Sequence, residues 1–438
     1  MVRNIGTCTM FDSSWISITQ TIHYCQLSYL YELLPYLVSS LLVLSVRRFG
    51  VVLRIPRMGS FTSAVKIQND DTQDNDLTYP EHLSRQELLQ HCQKQLSHLP
   101  VSIKRSFRRT NQSNSDLGLK FMKLNSISKA CSEFVSSPYS IRVLQWNILS
   151  QSLGLYNDSF VCCPEDALDW KTRRYRIVEE IVENCPDVIC LQEVDHFNFL
   201  TQILATQGYV GMFFPKPDSP CLYINGNNGP DGCAIFFRRN KFELVRKETR
   251  VLELWRVQSN QVAVLALLRV QETGQEICVA TTHLKARNGA LLSTLRNEQG
   301  KDLLDFVSRH SQGRPVLLCG DFNAEPCEPV YSTVLNHKQL ALNSAYADLD
   351  TSMKTSAARE PPYTTWKIRE EGEVCHTIDY VFYSKDTLKV EAALNFPTGE
   401  EIGEGRAPSF RYPSDHFSLV CDFRICANSP CTTPTHYL

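Results

Sequence analysis

Residues 233–282 read CAIFFRRNKFELVRKETRVLELWRVQSNQVAVLALLRVQETGQEICVATT, and this stretch decides the fold class. Its apolar, β-rich runs at 233–238, 262–270 and 276–282 are typical of strands, and no helix-like segment lies between them. Successive strands without a connecting helix exclude a purely doubly wound parallel sheet. With helix-like segments on both sides, the pattern predicts an α/β protein: a four-layer sandwich of two packed mixed β-sheets flanked by helices.

Outside this stretch, short strand-like runs alternate with helix-like segments from about Ser140 onward. The predicted strands are 141–146, 188–192, 210–214, 315–319, 377–383 and 418–423, and the predicted helices are 167–184, 197–206, 291–310 and 328–336. This pattern predicts one folded domain over residues 136–428, the candidate catalytic domain by the residues described below, followed by a short tail over 429–438.

The first 65 residues differ from the rest in composition. They contain only Asp12 and Glu32 as acids, and they are rich in serine and contain several arginines. This composition is typical of an organelle transit peptide, so 1–65 is predicted to be a mitochondrial targeting leader. The alternative is a leader that carries no targeting signal. The apolar run 30–46 is shorter than the roughly 20 residues that a span requires, so no stable membrane span is expected. Translation from Met58 would give a cytoplasmic form without the leader.

Residues 66–135 are predicted to be a linker, because 70–76 is a short acidic run and 104–115 is polar and basic. Within this region, 86–99 carries apolar side chains near helical spacing, and Pro100 follows them. A short docking helix is therefore expected inside the linker.

The bulk composition excludes some classes of partner. A formal net charge of -2 and an isoelectric point near 6.6 exclude a globally basic nucleic-acid coat, so phosphate binding has to come from a local site. The 17 cysteines are an odd number and cannot all pair within the chain. Cys190, Cys278 and Cys319 lie in apolar strand-like runs, so we expect buried thiols and a reducing compartment.

The polar residues with catalytic potential lie directly after, or directly before, an apolar strand. They are Asn147, Glu193, His283, Asp321 with Asn323, Asp379, and His416. Strand ends on one rim of a sheet converge on one crevice, which is where α/β proteins form ligand sites. Any one of these residues alone is more simply a turn residue, a cap or a structural histidine. Their order along the chain, always at strand boundaries, favours a catalytic site.

Glu193 is the predicted Mg²⁺ ligand, because Mg²⁺ prefers hard oxygen donors and often takes only one or two protein carboxylates. Asn147 can add a neutral amide oxygen. Asp321 is predicted to orient or deprotonate the attacking water. Asn323 can hold that water or a phosphoryl oxygen without adding charge.

The two histidines are predicted to act on the phosphoryl group. His283 and His416 can donate hydrogen bonds to phosphoryl oxygens as negative charge grows in the transition state. Asp379 is predicted to orient His416 through its other ring nitrogen and to favour its protonated form. Asp415 is a further carboxylate beside the site.

Six motifs, in order, resemble the exonuclease–endonuclease–phosphatase superfamily: WNIL at 146–149, LQEV at 191–194, THLKA at 282–286, GDFN at 320–323, TIDY at 377–380 and SDH at 414–416. The resemblance covers about 140–426 and implies the deoxyribonuclease-I-like fold, with Glu193 and Asn147 at the metal. Three longer stretches resemble its deadenylase-related branch: FFPKP at 213–217, NNGPDGCAIFF at 227–237 and PPYTTWKIR at 361–369.

The resemblance to this branch also implies how a substrate is held. Asn260 matches a polar substrate contact, and Arg369 would stack on an adenine face. Asp218 departs from the pattern, since family members commonly carry an apolar or aromatic residue there. Most surface lysines and arginines are simply solvated. The resemblance implies that three cations bind the diphosphate bridge of a substrate: Lys216, Lys285 and Arg287.

This branch implies a Mg²⁺-dependent phosphatase that removes the 2′-phosphate from NADP⁺ and NADPH, giving NAD⁺ and NADH. The alternative is a poly(A)-specific 3′-exoribonuclease acting on mRNA, the activity of the related deadenylases. Such an enzyme needs an extended basic groove with stacking aromatic residues, and the sequence shows no such track. A catalytically silent scaffold is less favoured, because every matching catalytic position carries a competent residue.

Overall fold

The computed structural model describes residues 79–109, 138–349 and 353–426; the predicted leader, the Met58 start and the tail lie outside them. The strands are β1 Phe107–Arg109, β2 Ser140–Asn147, β3 Val188–Val194, β4 Tyr209–Pro215, β5 Gly232–Arg238, β6 Phe242–Leu254, β7 Val257–Val270, β8 Glu276–His283, β9 Val316–Asp321, β10 Leu342–Ser344, β11 Thr365–Arg369, β12 Gly372–His376, β13 Asp379–Ser384, β14 Leu388–Leu394 and β15 Leu419–Ile425. The helices are α1 Arg85–Gln95, α2 Gln151–Tyr156, α3 Glu165–Leu168, α4 Trp170–Asn184, α5 Phe197–Ala205, α6 Ala290–Ser311, α7 Pro329–Leu335, α8 Ala345–Asp348, α9 Ser356–Arg359 and α10 Gly399–Ile402.

Two mixed sheets carry the fold. The first has the strand order β1-β14-β15-β2-β3-β5-β4, in which β2 and β3 are parallel. The second has the order β10-β13-β9-β8-β7-β6, in which β8 and β9 are parallel. Residues 233–282 supply β5 to the first sheet and β6, β7 and most of β8 to the second. The fold class predicted from that stretch is therefore confirmed.

Alternation along the strands explains the four layers. In β2, Val143 packs between the two sheets, whereas its neighbour Leu144 packs against α1, α4 and α5 on the outside. In β9, Leu317 likewise faces the space between the sheets, and Leu318 packs against α6 and α7. Each sheet is thus apolar on both faces, and helices cover the outer face of each.

Residues 79–109 correct the predicted domain boundary, because this part of the predicted linker is built into the catalytic domain. The helix predicted at 86–99 is observed as α1, which begins at Arg85 after a Ser84–Glu87 capping box and ends at Gln95. Leu88 and Cys92 on α1 are fully buried in the apolar layer that contains α4.

The segment after α1 reaches the neighbourhood of the last strand. Strand β1 pairs with β14 at the edge of the first sheet. The guanidinium of Arg105 donates to the backbone oxygen of Ser418 at 2.8 Å and to its hydroxyl at 2.9 Å, two residues beyond His416. The catalytic domain therefore includes residues before 136. The linker interpretation was wrong here because a few buried side chains, too few to form a clear pattern, dock this segment.

The buried cysteines agree with the sequence expectation. Cys190, Cys278 and Cys319 are free and fully buried, and they behave as small apolar residues of the strands. None of the helices in the described part of the chain is long and apolar enough to cross a membrane.

Candidate active site

Strand ends of both sheets meet in one crevice, as the sequence predicted. In the second sheet, Asp321 lies opposite His283 on one side and opposite Asp379 on the other. In the first sheet, Asn147 ends β2 beside β3, which carries Glu193. The side-chain nitrogen of Asn147 donates to Glu193 Oε1 at 2.9 Å and to Asp321 Oδ2 at 3.0 Å. This amide therefore joins the rims of the two sheets.

Gly320 permits the close approach of two strands at the site. A Cβ atom on Gly320 would lie 2.5 Å from the backbone oxygen of Thr282 in β8. The absence of a side chain lets β8 and β9 run side by side to their ends. His283 Nε2 then lies 3.6 Å from Asp321 Oδ2.

Asp321 is the most crowded carboxylate of the site. Its Oδ1 accepts the backbone N–H of Asn323 at 2.9 Å, and Asn323 itself has a positive φ of 49° and donates from Nδ2 to Leu284 O at 3.1 Å. Burial, with a smaller contribution from the charge of Asp379, raises the pKa of Asp321 to about 7, although His416 opposes the shift. A carboxylate of this kind can accept a proton near neutral pH.

A divalent cation fits beside Glu193. Each carboxylate oxygen of Glu193 accepts one hydrogen bond, Oε1 from Asn147 and Oε2 from the backbone N–H of Ser150 at 3.2 Å, which leaves lone pairs for an ion. The donor set is hard oxygen, as Mg²⁺ prefers. The amide oxygen of Asn147 accepts from Leu149 N at 3.0 Å, so its predicted role as a ligand requires the amide to turn toward the ion.

A second acidic cluster is less suited to a metal ion. Ligand atoms of Asp321, Asp379 and His416 lie within 4.8 Å of one another. However, Asp379 Oδ2 already accepts the hydroxyl of Thr364 at 2.7 Å and contacts His416 Nδ1 at 2.8 Å. These side chains form a hydrogen-bonded network, and Glu193 remains the better position for a cation.

His416 is held in its charged form. Burial lowers its pKa, but the carboxylates of Asp379, Asp415 and Asp321 together outweigh burial and raise the pKa of His416 to about 9. Its Nε2 faces the crevice, 3.7 Å from Asp415 Oδ2 and 3.8 Å from Asp321 Oδ2. His416 is therefore an imidazolium at neutral pH that can donate a hydrogen bond into the site.

His283 differs from His416 in charge. Burial, reinforced by the positive charges of Lys216 and His416, holds the pKa of His283 well below its usual value. Its Nδ1 is buried and has no hydrogen-bond partner among the described residues. A neutral imidazole donates through one nitrogen only, so the two histidines contribute differently to the site.

Lys216 is already paired within the protein. It lies 8% exposed on the loop after β4, and its Nζ is 2.6 Å from Asp231 Oδ2. Burial lowers the pKa of Lys216, but Asp231 and Glu193 overcome this effect and raise it. Lys216 thus contributes a fixed, partly neutralised charge to the crevice. Asp231, its partner in the NNGPDG stretch, was not recognised from the sequence.

Lys285 and Arg287 lie on the loop between β8 and α6. Lys285 is half-buried and Arg287 is exposed, with a positive φ of 79°. The loop directly follows His283, and its cations are more exposed than the residues of the buried centre, so we call this loop the mouth of the crevice.

Asn260, which was predicted to contact the substrate, binds the backbone of the loop that carries Lys216. Both ends of its amide bind the backbone of Asp218: the oxygen accepts from Asp218 N at 2.7 Å, and the nitrogen donates to Asp218 O. Asn260 therefore fastens the loop that carries Lys216. The carboxylate of Asp218 accepts the hydroxyl of Tyr223 at 2.5 Å.

Arg369 belongs to a second charged network beside His416. Its Nη2 donates to Asp158 at 2.6 Å, and its guanidinium lies over the ring of Phe160, 5.5 Å from the centroid. Arg369 also lies 3.7 Å from Asp415, which Lys367 contacts at 2.5 Å. Burial raises the pKa of Asp415, but Lys367, His416 and Arg369 hold it well below the usual range.

Several residues of the site were missed by the sequence analysis. Thr364 and Lys367 lie within PPYTTWKIR, so that motif was the signal that could have identified them. Asp158 lies in a loop after α2, where an acid among turn residues has no distinctive pattern.

The chain is similar to known proteins over most of its length. Residues 144–416 match the Endonuclease/Exonuclease/phosphatase family. The chain is 57% identical over 394 residues to nocturnin from Drosophila melanogaster, covering 86% of this chain and 61% of that protein. It is 47% identical over 346 residues to nocturnin from Xenopus laevis, covering 78% and 82%.

A solved structure and a more distant relative extend the comparison. The catalytic domain of human nocturnin with a bound sulfate anion shares the fold with a TM-score of 0.57 and 40% identity, covering 74% of this chain and 98% of that domain. The 3′-5′-exoribonuclease subunit Ccr4 of the CCR4-Not complex from Emericella nidulans is 25% identical over 361 residues, covering 66% and 53%.

Proposed function

Because the chain belongs to the endonuclease/exonuclease/phosphatase family and is similar to the nocturnins within it, we propose that it is a Mg²⁺-dependent phosphatase that removes the 2′-phosphate of NADP⁺ and NADPH. The products are NAD⁺ or NADH and inorganic phosphate. The observation that carries the proposal is the buried cluster in which a charged His416, held by Asp379, lies near Asp321, which Asn147 joins to Glu193.

The side chains divide the chemistry between them. Mg²⁺ held by Glu193, with Asn147 beside it, would polarise the phosphoryl oxygen and offset its charge. Asp321 orients the attacking water and takes its proton, for which a pKa of about 7 is suited. His416 donates to a phosphoryl oxygen as an imidazolium, and neutral His283 donates from Nε2. The water oxygen bonds to phosphorus as the bond from phosphorus to the 2′-oxygen breaks, and the 2′-oxygen takes up a proton from solvent.

The outer residues suit a compact, multiply phosphorylated substrate. Lys285 and Arg287 at the mouth and Lys216 further in are the predicted contacts of the diphosphate bridge. Arg369, whose one face lies over Phe160, is the predicted contact of the adenine ring. The human nocturnin catalytic domain has a bound sulfate, a tetrahedral anion like phosphate, and this supports a phosphate ester as the class of substrate.

The alternative activity is 3′-exonucleolytic cleavage of poly(A) RNA. The similarity to the Ccr4 exoribonuclease subunit supports it. Both activities cleave a phosphate ester with water and would use the same acids and histidines, so the distinction depends on what the outer residues hold.

The experiment offers both substrates to the full chain in Mg²⁺. NADPH and an adenine-rich RNA are incubated in parallel, and inorganic phosphate and AMP are measured. Phosphate from NADPH with intact RNA, lost in Glu193→Gln, is the expected result. Release of AMP with untouched NADPH would make the chain a deadenylase. If neither phosphate nor AMP is released, the result would favour a scaffold.

We also propose that residues 1–65 direct the chain to mitochondria, on the basis of their acid-poor composition. Fusion of 1–65 to a fluorescent protein tests this address, and diffuse fluorescence throughout the cell would contradict it. The same fusion beginning at Met58 provides the control.

A further inference from the structure

Side chains of helix α6 hydrogen-bond to the backbone of the loop that carries Lys285 and Arg287. Arg296 on this helix is only 1% exposed, and its Nη1 donates to the backbone oxygen of Lys285 at 3.1 Å and to that of Arg287 at 2.6 Å. One buried guanidinium thus holds the main chain at two of the three predicted phosphate-binding cations, Lys285 and Arg287.

The rest of the Arg296 guanidinium is also engaged. Its Nε and Nη2 donate to the carboxylate of Glu328, with Nη2 at 2.9 Å from Oε1 and 2.7 Å from Oε2. Glu328 directly precedes α7. A two-pronged contact of this kind fixes the plane of the guanidinium as well as its position. The direction in which Arg296 meets the loop is therefore set by the packing of α6 beside α7.

Gln299, one turn further along α6, binds the same loop from a second point. Its Oε1 accepts the backbone N–H of Lys285 at 3.0 Å. Its Nε2 donates to Gln261 Oε1 at 2.8 Å and lies 3.4 Å from the hydroxyl of Ser259. Gln299 is 1% exposed, so these contacts are shielded from water.

These contacts connect the two cation-bearing loops. Ser259 and Gln261 flank Asn260, whose amide holds the backbone of Asp218 in the loop after Lys216. One face of α6 therefore binds the loop of Lys285 directly, and it reaches the loop of Lys216 through residues 259–261 of β7.

The backbone of the first loop also requires external support. Arg287 has a φ of 79°, a left-handed conformation that side chains other than glycine adopt at a cost in energy. Such a conformation persists when surrounding contacts determine it, and the Arg296 contact to Arg287 O is one of them. Without it, the loop would relax and the Arg287 side chain would move away from its present direction.

We propose that Arg296 and Gln299 are positioning residues for the phosphate-binding cations, and that they set the affinity of the crevice for a diphosphate. This inference rests on the proposed function in its choice of substrate, but the fastening of the loop is independent of the reaction. Loss of Gln299 frees the Lys285 amide and uncouples the loop from strand β7. Loss of Arg296 frees two backbone oxygens and leaves Glu328 without its partner.

The test replaces Gln299 by Met, which keeps the length of the side chain and removes its polar atoms. Glu298→Met is the matched control, because Glu298 also lies on α6 but pairs with Lys301 of the same helix. Amide hydrogen exchange over residues 284–289 is measured for both variants of the full chain. We expect exchange about tenfold faster in Gln299→Met, the loss expected for one or two hydrogen bonds, and unchanged exchange in the control.

Steady-state kinetics follow on the same proteins. For Gln299→Met, the KM for NADPH should rise about tenfold with kcat changed less, because a small displacement of binding groups weakens substrate positioning. The KM for p-nitrophenyl phosphate, which has no diphosphate, should not change. Glu328→Gln, which weakens the grip on Arg296 and keeps its shape, should show the same pattern to a smaller extent and covers the case in which Gln299→Met does not fold.

The outcomes separate the two proposals. Faster loop exchange with unchanged KM for NADPH would overturn the positioning role, and so would exchange that stays the same in Gln299→Met and Glu328→Gln. Equal rises in KM for NADPH and p-nitrophenyl phosphate would place the effect at the centre of the crevice and also contradict it. If the wild type releases no phosphate from NADPH, the proposed function fails, and the same comparison is made with the binding of inorganic pyrophosphate.

Discussion

The centre of the crevice and its mouth are built in different ways. At the centre, Asp321, Asp379 and His416 are each at most 4% exposed, and they contact one another at the ends of strands packed between apolar layers. At the mouth, Arg287 is exposed on the loop between β8 and α6. Side chains of α6 bind the backbone of this loop. A change at the centre should therefore affect every substrate, whereas a change at the mouth should affect only substrates that reach it.

The largest effect is expected for Glu193→Gln. Removing the charge of the predicted metal ligand, while keeping its shape, should lower kcat by about 10³-fold, the scale seen when a group that stabilises transition-state charge is lost. The loss should be equal for NADPH and for p-nitrophenyl phosphate, measured as phosphate released. Glu243→Gln, an exposed acid of β6 that pairs with Arg269, is the control and should retain full activity. A loss confined to NADPH would contradict the placement of Glu193 at the centre.

The next largest effect is expected for Asp379→Asn. The amide keeps the size of the side chain but cannot stabilise the charge of His416, so kcat should fall by about 10²-fold on both substrates. The loss should be smaller than for Glu193→Gln, because Asp415 and Asp321 still face the imidazole.

The pH profile distinguishes this effect from simple misfolding. In the wild type the pKa of His416 is raised to about 9, so activity that requires the imidazolium should fall as the pH rises through about 9. The same raised pKa implies a stabilising contribution that is complete below the unfolded pKa and is lost as the pH rises through the folded one. In Asp379→Asn the fall in activity should begin at lower pH. If the activity of Asp379→Asn falls at the same alkaline pH as that of the wild type, Asp379 does not set the charge of His416.

At the mouth, Arg287→Ala should act on one substrate only. The KM for NADPH should rise about tenfold, the value of roughly one charge-assisted contact, and kcat/KM for p-nitrophenyl phosphate should stay the same. Arg309→Ala, an exposed arginine in the last turn of α6, is the matched control. Equal losses on both substrates would remove the distinction between centre and mouth.

The same distinction separates what the sequence could predict from what it could not. Asn147, Glu193, Asp321 and His283 each follow an apolar strand, so a local pattern was enough to predict that they converge, and the structure brings them together. The loop support from Arg296 has no such pattern. A buried arginine in an otherwise ordinary helix is seen only when the backbone oxygens that it contacts are known.

Segment 79–109 was misread for a related physical reason. Its docking depends on a few buried side chains such as Leu88 and Ile103, and on one long-range cation, Arg105. None of these produces a period that a short window of sequence can detect. Asn260 was predicted to contact the substrate, and the structure adds a contact that the sequence did not reveal, with the backbone of Asp218.

The smallest effect is expected for Thr364, and it tests whether the centre extends beyond the residues that a strand-end pattern can identify. The Thr364 hydroxyl donates to Asp379 Oδ2 and accepts the backbone N–H groups of Ile378 and Asp379 at 3.0 and 3.1 Å. Thr364→Val keeps the shape but leaves both N–H groups without that acceptor, so kcat should fall about fivefold, the value of about one hydrogen bond, on NADPH and on p-nitrophenyl phosphate alike. Thr364→Ser restores the hydroxyl and should recover both rates. Recovery with Ser would assign Thr364 to the centre, because a hydroxyl that merely filled space would be replaced equally well by the methyl group of valine.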